Sequence, residues 1–289
     1  RLCCHLPLSG QMRHYSGLAI GLTAPPAVAV QFNVSCNPCY HDPMPDTRTN
    51  RPSPTPLPER FFQRDARELA VALLGKVIRR RLGDQWLAAR IIETEAYLLE
   101  ERGSHASLGF TQARRALFMD PGTIYMYYAR GGDSMNCSAL GEGCGVLLKS
   151  AHPVIDAISP PSSLTRMQHL NPQRNGQPRR PERLCAGQTL LCRSLAIRVP
   201  EWNARRFDAD WLLIEDDGYR PEQVIQAPRL GIPSGRDEHL PYRWVDAAYA
   251  PHCTRNPLGR SRLPGRDYRT MDHAQALASA SASTGDVTC

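Results

Sequence analysis

The sequence predicts an α+β fold, a single domain around a curved, largely antiparallel sheet with helices at its edges. Segments rich in Ile, Val, Tyr and Thr, which are typical of strands, dominate the middle of the chain. Most neighbouring segments are joined by short turns that contain glycine, as in hairpins. The sequence has neither a Gly-rich phosphate loop nor a regular strand–helix alternation, which argues against a dinucleotide-binding fold.

The first 57 residues do not resemble a folded unit. They are rich in Pro, Ser and Thr, lack apolar periodicity, and end in a proline-rich run at 51–58. We interpret 1–57 as a disordered extension and expect the native start at Met44, so that 1–43 would be upstream sequence. A targeting arm is the alternative, but arginine is sparse and no face is amphipathic.

A helix and a hairpin are predicted next. Asp65 followed by Glu68 resembles a capping box, and the apolar stripe behind it ends at Gly75. Strands at 77–82 and 86–98 flank a turn at Gly83-Asp84. The arginines at 79–81 are expected on a solvated strand edge, with a direct phosphate contact as the alternative.

Strands at 124–128, 135–138 and 144–149 follow, with a turn at Gly131-Gly132. We then predict a helix around 154–158 that Pro160-Pro161 ends, a polar loop at 171–183 and a helix at 187–197. Further strands are predicted at 211–214, 224–227 and 243–245. The Ala/Ser-rich segment 271–289 is expected to be a disordered tail, so the folded domain would be 58–270.

The net charge of +7 lies entirely in the middle of the chain, where residues 58–270 hold 31 Lys and Arg against 24 Asp and Glu. A basic globular body suits a polyanion such as nucleic acid, although a merely basic protein has the same composition. The ten cysteines are scattered, and Cys36-Asn37-Pro38-Cys39 has no second pair at zinc-site spacing. We therefore expect reduced cysteines, a cytoplasmic protein and no membrane span, since the apolar run 18–30 is too short.

The strand at 86–98 carries an unusual pair of acids. Side chains alternate along a strand, so Glu93, Glu95 and Tyr97 should share a face with Ile91. A carboxylate on a partly apolar face usually has either a partner or a task. The simpler interpretation is that both glutamates pair with arginines on a solvated face.

These residues and several others together resemble the alkyladenine (3-methyladenine) DNA glycosylases, the mammalian-type methylpurine DNA glycosylases and their bacterial relatives. The resemblance spans about residues 57–268, and its specificity lies in the order and spacing of the motifs. The motifs are 90–97 (Arg-Ile-Ile-Glu-Thr-Glu-Ala-Tyr), His105, 118–123 (Phe-Met-x-Pro-Gly-Thr), Tyr125-x-Tyr127, Met135-Asn136, 143–149 (Gly-Cys-Gly-Val-Leu-Leu-Lys), 184–187 (Leu-Cys-Ala-Gly), 191–197 (Leu-Cys-x-x-Leu-Ala-Ile) and 229–232 (Arg-Leu-Gly-Ile).

The resemblance implies a monofunctional DNA glycosylase that starts base excision repair. Such an enzyme hydrolyses the N-glycosidic bond of alkylated or deaminated purines, here 3-methyladenine, 7-methylguanine and hypoxanthine, by base flipping and water activation. It implies double-stranded DNA as the partner, a monomer near the nucleoid, and no metal or organic cofactor. The alternative is a non-catalytic nucleic-acid-binding domain that has kept the fold.

The resemblance also assigns the acids. Glu95 matches the catalytic glutamate of the family, which activates water, and Glu93 would be structural, paired with Arg90 or another arginine. On strand geometry alone the two glutamates could exchange roles. Lys149 stands where the family has an arginine near the glutamate and its water, which keeps the charge but loses the planar guanidinium.

The base pocket is expected to be aromatic. Tyr97, His105 and Tyr127 match the family residues that stack on the flipped base, and Tyr125 shares a face with Tyr127 and could be core support. Asn136 matches the residue that lines the pocket floor and disfavours the amine of normal guanine. The alternative for Asn136 is a hairpin residue bonded to its own backbone.

DNA contacts are expected at the hairpin tip and the loop before it. Family members insert a tyrosine from this hairpin into the base stack, but here the tip is one residue shorter and no tyrosine precedes the glycine. We predict that Arg130 fills the gap, with Tyr128 as the second candidate. A backbone phosphate contact by Arg130 is the alternative. Arg114 and Arg115 are expected to contact DNA as well.

Overall fold

In the computed structural model, the structure describes residues 53–129 and 131–282. The strands in this part of the chain are β1 (Val77–Leu82), β2 (Gln85–Tyr97), β3 (Ile124–Ala129), β4 (Gly132–Ser138), β5 (Gly145–Pro153), β6 (Leu212–Glu215), β7 (Gln223–Ala227), β8 (Arg243–Asp246) and β9 (Arg269–Asp272). The α-helices are α1 (Ala66–Leu73), α2 (Pro161–Leu170), α3 (Pro181–Leu184), α4 (Gln188–Ser194), α5 (Val199–Trp202) and α6 (His273–Ala282). Short 3₁₀ helices lie at Glu59–Phe62, Ala106–Leu108, Arg115–Phe118 and Ala247–His252.

The strands form one sheet in the order β3-β4-β5-β2-β8-β7-β9, and β1 joins β2 to β6. All of these strand pairs are antiparallel. The long strand β2 is the centre of the sheet, since it pairs with β1, β5 and β8. The predicted α+β fold with a largely antiparallel sheet is confirmed.

The main core lies between the sheet and α1. Leu69, Leu73 and Ile91 are fully buried in it. The helix begins at Asp65, whose carboxylate accepts a hydrogen bond from the backbone N–H of Arg67 at 2.8 Å. The predicted N-cap is therefore confirmed, although Glu68 forms an ion pair with Arg64 at 3.0 Å and does not complete a capping box.

The prediction that β1 is a solvated edge is wrong. Because β6 pairs with β1 on the side away from β2, the strand is internal; Arg79 and Arg80 are buried and Arg81 is half-buried. Arg79 donates to Glu215 and to Asp156, each at 2.6 Å, and Arg80 stacks over the ring of Trp202 at 5.1 Å. Arg79 and Arg80 serve the core and are withdrawn from solvent.

The predicted helix around 154–158 is also wrong. Asp156 accepts hydrogen bonds from the backbone N–H groups of Ile158 and Ser159 at 2.9 and 2.7 Å, which holds a turn there. The helix α2 begins afterwards, at Pro161. Proline suits the first helical position because that position needs no N–H donor, so the proline pair starts a helix here.

The C-terminal segment is folded at least to Ala282, so the predicted disordered tail is wrong for 271–282. Strand β9 pairs with β7, and α6 buries Ala276 and Ala280. Asp272 and Gln275 exchange side-chain and backbone hydrogen bonds at 2.7 and 3.2 Å, a capping box that starts α6. Alanine is the best helix former, so the composition was misread.

The remaining organisation predictions fall partly outside the described residues. The predicted extension 1–57 is one of them, since only 53–57 is described; there Leu57 donates its backbone N–H to Ile214 at 2.7 Å. The five cysteines within 53–129 and 131–282 are free, as predicted. No helix in these ranges is both long and apolar enough to cross a membrane.

Candidate active site

A single row of side chains crosses five strands of the sheet. Neighbouring strands place Tyr125 opposite Asn136, Asn136 opposite Leu147, Leu147 opposite Glu95, and Glu95 opposite Arg243. Directly opposed residues of antiparallel strands project from the same face. The predicted site residues of β2, β3 and β4 therefore meet on one face of the sheet although they are far apart in sequence.

A pocket of about 330 Å³ opens over this row, which is within the size range of small-molecule sites. Aromatic and polar side chains of the sheet form its floor, and the loops around 103–108 and 230–236 form its rim. The lining residues with a role below are Tyr97, His105, Tyr125, Tyr127, Asn136, Lys149, Gln188, Leu230 and Arg236.

Glu95 lies behind the residues that line this pocket and has an exposure of 0 %. Its Oε2 accepts hydrogen bonds from the hydroxyl of Tyr97 at 2.8 Å and from Nζ of Lys149 at 3.3 Å. Its Oε1 accepts from the backbone N–H of Leu230 at 3.0 Å. All three donors belong to residues that line the pocket, so the carboxylate is separated from the cavity by a single layer of residues.

Glu93 is equally buried but its partners are structural. Arg243 donates to it from Nε at 2.7 Å, the backbone N–H of Thr254 donates at 3.0 Å, and the hydroxyl of Ser150 donates as well. Arg90, the partner named as an example in the prediction, instead forms an ion pair with Asp217 at 2.7 Å. Glu93 thus fastens three segments of chain to each other.

A pair of register shifts explains why β5 serves both glutamates. The pairing of β2 with β5 runs Ile91 to Ala151, Glu93 to Ser150 and then Thr94 to Leu148, which leaves Ile92 and Lys149 as extra residues. Such bulges let two consecutive residues face the same side of a sheet. Lys149 therefore reaches Glu95 while the adjacent Ser150 reaches Glu93, and Ile91 turns to the main core, contrary to the predicted alternation.

The aromatic residues of the pocket contact each other. The ring centroids of His105 and Tyr127 are 4.5 Å apart, those of Tyr125 and Tyr127 are 5.6 Å apart, and Nδ1 of His105 lies 2.9 Å from the hydroxyl of Tyr125. Withdrawal from solvent and the nearby charges of Arg114 and Arg236 lower the pKa of His105. Burial and the charge of Glu95 hold the pKa of Tyr97 well above its usual value, so its hydroxyl keeps the proton that it donates.

Asn136 fits both predictions made for it, a residue that lines the pocket and a hairpin residue that is bonded to backbone. Its Nδ2 donates to the backbone carbonyl of Tyr125 on the paired strand at 3.2 Å, so it is bonded to hairpin backbone. It also lines the pocket. The side-chain oxygen has no hydrogen-bond donor among the described residues, and it is the part of the amide available to a ligand.

Comparisons with known proteins match the whole of this region. A family model described as methylpurine-DNA glycosylase (MPG) matches residues 60–250. The chain belongs to this family. In Pseudomonas aeruginosa strain UCBPP-PA14, a protein named "Putative 3-methyladenine DNA glycosylase" is 61% identical over 240 residues, which cover 83% of this chain and 98% of the relative.

Two further relatives with the same name differ in their sequence identity to this chain. One from Pseudomonas savastanoi pv. phaseolicola is 63% identical over 219 residues, 76% of this chain and 98% of the relative. One from Koribacter versatilis is 31% identical over 198 residues, 66% of this chain and 90% of the relative. The resemblance noted from the motifs is confirmed, and the chemistry of the methylpurine-DNA glycosylases, hydrolysis of an N-glycosyl bond in DNA, is the activity of this family.

Sequence reasoning missed two residues that contact the predicted members of this candidate site. Gln188 donates from Nε2 to the hydroxyls of Ser134 and Tyr127 at 2.9 and 3.5 Å. Arg229 is buried behind Tyr97, its guanidinium 4.5 Å from the ring centroid. Arg229 belongs to the motif 229–232 of the resemblance, but nothing in the sequence shows that its side chain packs under Tyr97.

Arg229 also grips the backbone beside that tyrosine. It donates to the carbonyl of Ala96 at 2.9 Å and forms an ion pair with Glu101, which in turn accepts from the backbone N–H of Leu98 at 3.2 Å. Burial raises the pKa of Glu101 to about 7. The residues on either side of Tyr97 are thus held by one buried ion pair.

The residues predicted to contact DNA lie in different environments. Tyr128 is 71% exposed on β3, next to the hairpin tip. Arg114 donates to the carbonyls of Gly109 and Leu108 at 2.8 and 3.1 Å, so it supports the pocket loop, and Arg115 is exposed. Arg130, the predicted wedge, lies outside the described residues.

Proposed function

We propose that the chain is a monofunctional DNA glycosylase that removes alkylated and deaminated purines, namely 3-methyladenine, 7-methylguanine and hypoxanthine. One observation carries this proposal: a fully buried carboxylate, Glu95, accepts hydrogen bonds from three residues that line an aromatic pocket of about 330 Å³. Membership in the methylpurine-DNA glycosylase family supports it, as do the names of the Pseudomonas and Koribacter relatives.

The reaction assigns Glu95 the role of general base. As the bond from C1′ of the deoxyribose to the purine breaks, the base leaves with the electron pair and the sugar becomes oxocarbenium-like. A water oxygen bonds to C1′, and its proton passes to the carboxylate of Glu95. Lys149, at 3.3 Å from that carboxylate, holds it in place and orients the water.

The walls suit a flipped base. Tyr97, Tyr127 and His105 offer aromatic faces on which a purine can stack, and such faces attract a base made cationic by alkylation. The lowered pKa of His105 keeps its ring neutral near pH 7, so it does not repel that cation. A purine that carries a positive charge from alkylation leaves as a neutral molecule and needs no proton, whereas hypoxanthine has to gain a proton to leave as a neutral molecule.

Asn136 is proposed as the gate against normal guanine. It stands on the pocket wall, with Nδ2 bound to the carbonyl of Tyr125. An amide fixed in this way takes up space near the purine edge, and it would exclude the additional amine of guanine by that space. Hypoxanthine, which lacks the amine of guanine, would be accepted at the same place.

DNA engagement is proposed for the face around the pocket and the hairpin. Arg130 would enter the gap left by the flipped base, with Tyr128 as the second candidate, and Arg114 and Arg115 would approach the backbone. If Arg130 is the wedge, Arg130→Ala slows excision from a duplex but not from single-stranded DNA, which has no stack to hold open. Equal losses on both substrates would indicate a phosphate contact, and a duplex-specific loss in Tyr128→Ala alone would assign the wedge to Tyr128.

The proposed domain is the predicted 58–270 extended through α6, because α6 packs against α1. The family model ends at residue 250, and β9 and α6 follow it. We propose that residues 1–43 are not needed for the fold or the reaction. A protein that begins at Met44 should melt and excise as the full chain does, and a large drop in melting temperature would contradict this.

The decisive assay uses duplexes with a single damaged purine. The protein is incubated with end-labelled DNA that contains hypoxanthine, or with alkylated DNA, and abasic sites are cut by hot alkali. Strand scission by the wild-type protein and none by Glu95→Gln is expected. The alternative is a non-catalytic nucleic-acid-binding domain. The observation that supports it is Lys149, which stands in place of the family arginine. Binding of damaged DNA with no scission on any substrate would support that alternative.

A further inference from the structure

The segment that follows the matched family region is strongly basic. Residues 255–269 contain five arginines and a single acidic residue, Asp267. Most of this segment is a loop between the 3₁₀ helix Ala247–His252 and β9. It lies beyond residue 250, where the family model ends, so the family match assigns it no role.

Three arginines of this loop join two buried ones around a second cavity. The cavity, here called the arginine pocket, has a volume of about 200 Å³. Its charged lining residues are Arg229, Arg243, Arg255, Arg262, Arg266 and Asp267.

The pocket of about 330 Å³ that is proposed to hold the flipped base is here called the base pocket. The arginine pocket is next to it and on the same face of the sheet. Arg243 is directly opposite Glu95, and Ala227, which also lines the arginine pocket, is directly opposite Arg243. The row that begins at the base pocket thus continues into the arginine pocket. Leu230 and Gly231 line both cavities, so one short loop separates them.

Positive charge exceeds negative charge here. Arg243 is paired with Glu93, Arg229 with Glu101, and Arg262 and Arg266 share Asp267 at 3.6 and 2.8 Å. Five guanidinium groups therefore face three carboxylates. Arg255 has no acidic partner within the described residues, and its backbone carbonyl accepts from Nη2 of Arg243 at 2.6 Å.

Arg229 contributes its charge from below the surface of the arginine pocket. Its side chain is fully buried, and its guanidinium lies 4.5 Å from the ring centroid of Tyr97 and 5.6 Å from that of Tyr242.

We propose that the arginine pocket binds a backbone phosphate of the DNA strand that carries the damaged nucleotide, close to the flipped nucleotide. The inference rests on the proposed function, because it takes the neighbouring pocket to hold the flipped base. A nucleotide that enters the base pocket brings its flanking phosphates to the pocket rim. Guanidinium groups match the oxygens of a phosphate in a bidentate way, and a phosphate would balance the excess charge.

The first test is the salt dependence of DNA binding. The double variant Arg255→Gln/Arg262→Gln is compared with the wild type, and Arg260→Gln is the matched control because Arg260 is exposed in the same loop and does not line the cavity. Loss of one phosphate contact should make the plot of log Kd against log salt shallower by about 0.9. The control should keep the wild-type slope, and all three proteins should melt alike.

The second test locates the phosphate. Single phosphates within two nucleotides of a damaged base are replaced, one at a time, by neutral methylphosphonate linkages. In the wild type, one replacement on the damaged strand should weaken binding, and in the double variant the same replacement should have no effect. A double variant with the wild-type salt slope, or with the wild-type response to every replacement, would overturn the proposal.

A third experiment distinguishes a DNA phosphate from a soluble phosphate compound. The result of the excision assay is judged separately from the binding tests. If pyrophosphate raises the melting temperature of the wild type but not of the double variant, while both bind DNA with the same slope, the pocket holds a soluble phosphate compound and the DNA assignment is wrong. Both binding tests are read without excision. Absence of strand scission by the wild type would therefore contradict the proposed function alone, and an unchanged slope with normal scission would contradict the phosphate site alone.

Discussion

Glu93 and Glu95 are two residues apart on one strand, and each has an exposure of 0 %. Their partners differ in kind. Glu93 is bound by Arg243, Ser150 and the backbone of Thr254, which hold β2 to its surroundings. The donors to Glu95, by contrast, are all parts of the base pocket wall.

The difference shows that burial alone does not distinguish a structural carboxylate from the one that we propose to be catalytic. A carboxylate surrounded by fixed donors on every side contributes to stability but cannot receive a proton from a substrate water. A carboxylate whose donors border a cavity can do both. The distinction lies in what the partners touch next, which is a property of the tertiary structure.

The largest effect is expected for Glu93→Gln. Removal of one partner of a buried ion pair leaves the charge of Arg243 uncompensated, so the free energy of unfolding should fall by about 3–5 kcal/mol. Urea denaturation followed by circular dichroism measures it. The matched double variant Glu93→Gln/Arg243→Met, which removes both charges, should lose less. A Glu93→Gln protein as stable as the wild type would contradict the structural role.

For Glu95→Gln the effect is on the rate. The variant should keep its affinity for damaged DNA and lose at least about two orders of magnitude in excision rate, the usual contribution of a general base. Single-turnover kinetics with saturating enzyme measure the rate without the binding step. If Glu95→Gln excises normally while a folded Glu93→Gln is inactive, the two roles are exchanged.

A third carboxylate, Glu101, sharpens the comparison through pH. Burial raises its pKa to about 7 from 4.5. Between these values the folded protein holds a proton that the unfolded chain has released, so its contribution to stability is greatest below pH 4.5 and is lost as the pH rises to 7. Stability of the wild type relative to Glu101→Gln should therefore fall between pH 5 and 8, by on the order of 2 kcal/mol. Denaturation at four pH values tests this, and parallel curves would contradict it.

The smallest effect is expected at the pocket wall. Asn136→Ser should make room for the amine of guanine and raise excision of undamaged guanine relative to hypoxanthine about threefold to tenfold, since a single contact in a pocket changes discrimination by this order. Competition between the two substrates in one reaction measures the ratio. An unchanged ratio would mean that Asn136 only supports the hairpin through the carbonyl of Tyr125.

Much of the fold was predictable because its signals are local. β-branched and aromatic residues marked β2 and β3, the turn at Gly83-Asp84 marked the hairpin of β1 and β2, and Asp65 marked the start of α1. The errors have local explanations too. The capping box of Asp272 and Gln275 was present in the sequence, but the Ala/Ser-rich composition was given more weight. Pro160-Pro161 was predicted to end a helix at 154–158, whereas it begins α2.

By itself, the sequence determined the order of β1 to β8 along the chain, the family resemblance and most of the polar and aromatic residues that the base pocket gathers. Only the tertiary structure decided what each of them touches. The addition of β6 beyond β1 buried Arg79, and the paired bulges turned Lys149 and Ser150 toward different glutamates. The segment 255–269 brought three of its arginines to the cavity that Arg243 of β8 also lines. Strand pairing and bulges join residues that are distant in sequence, so no local pattern encodes them.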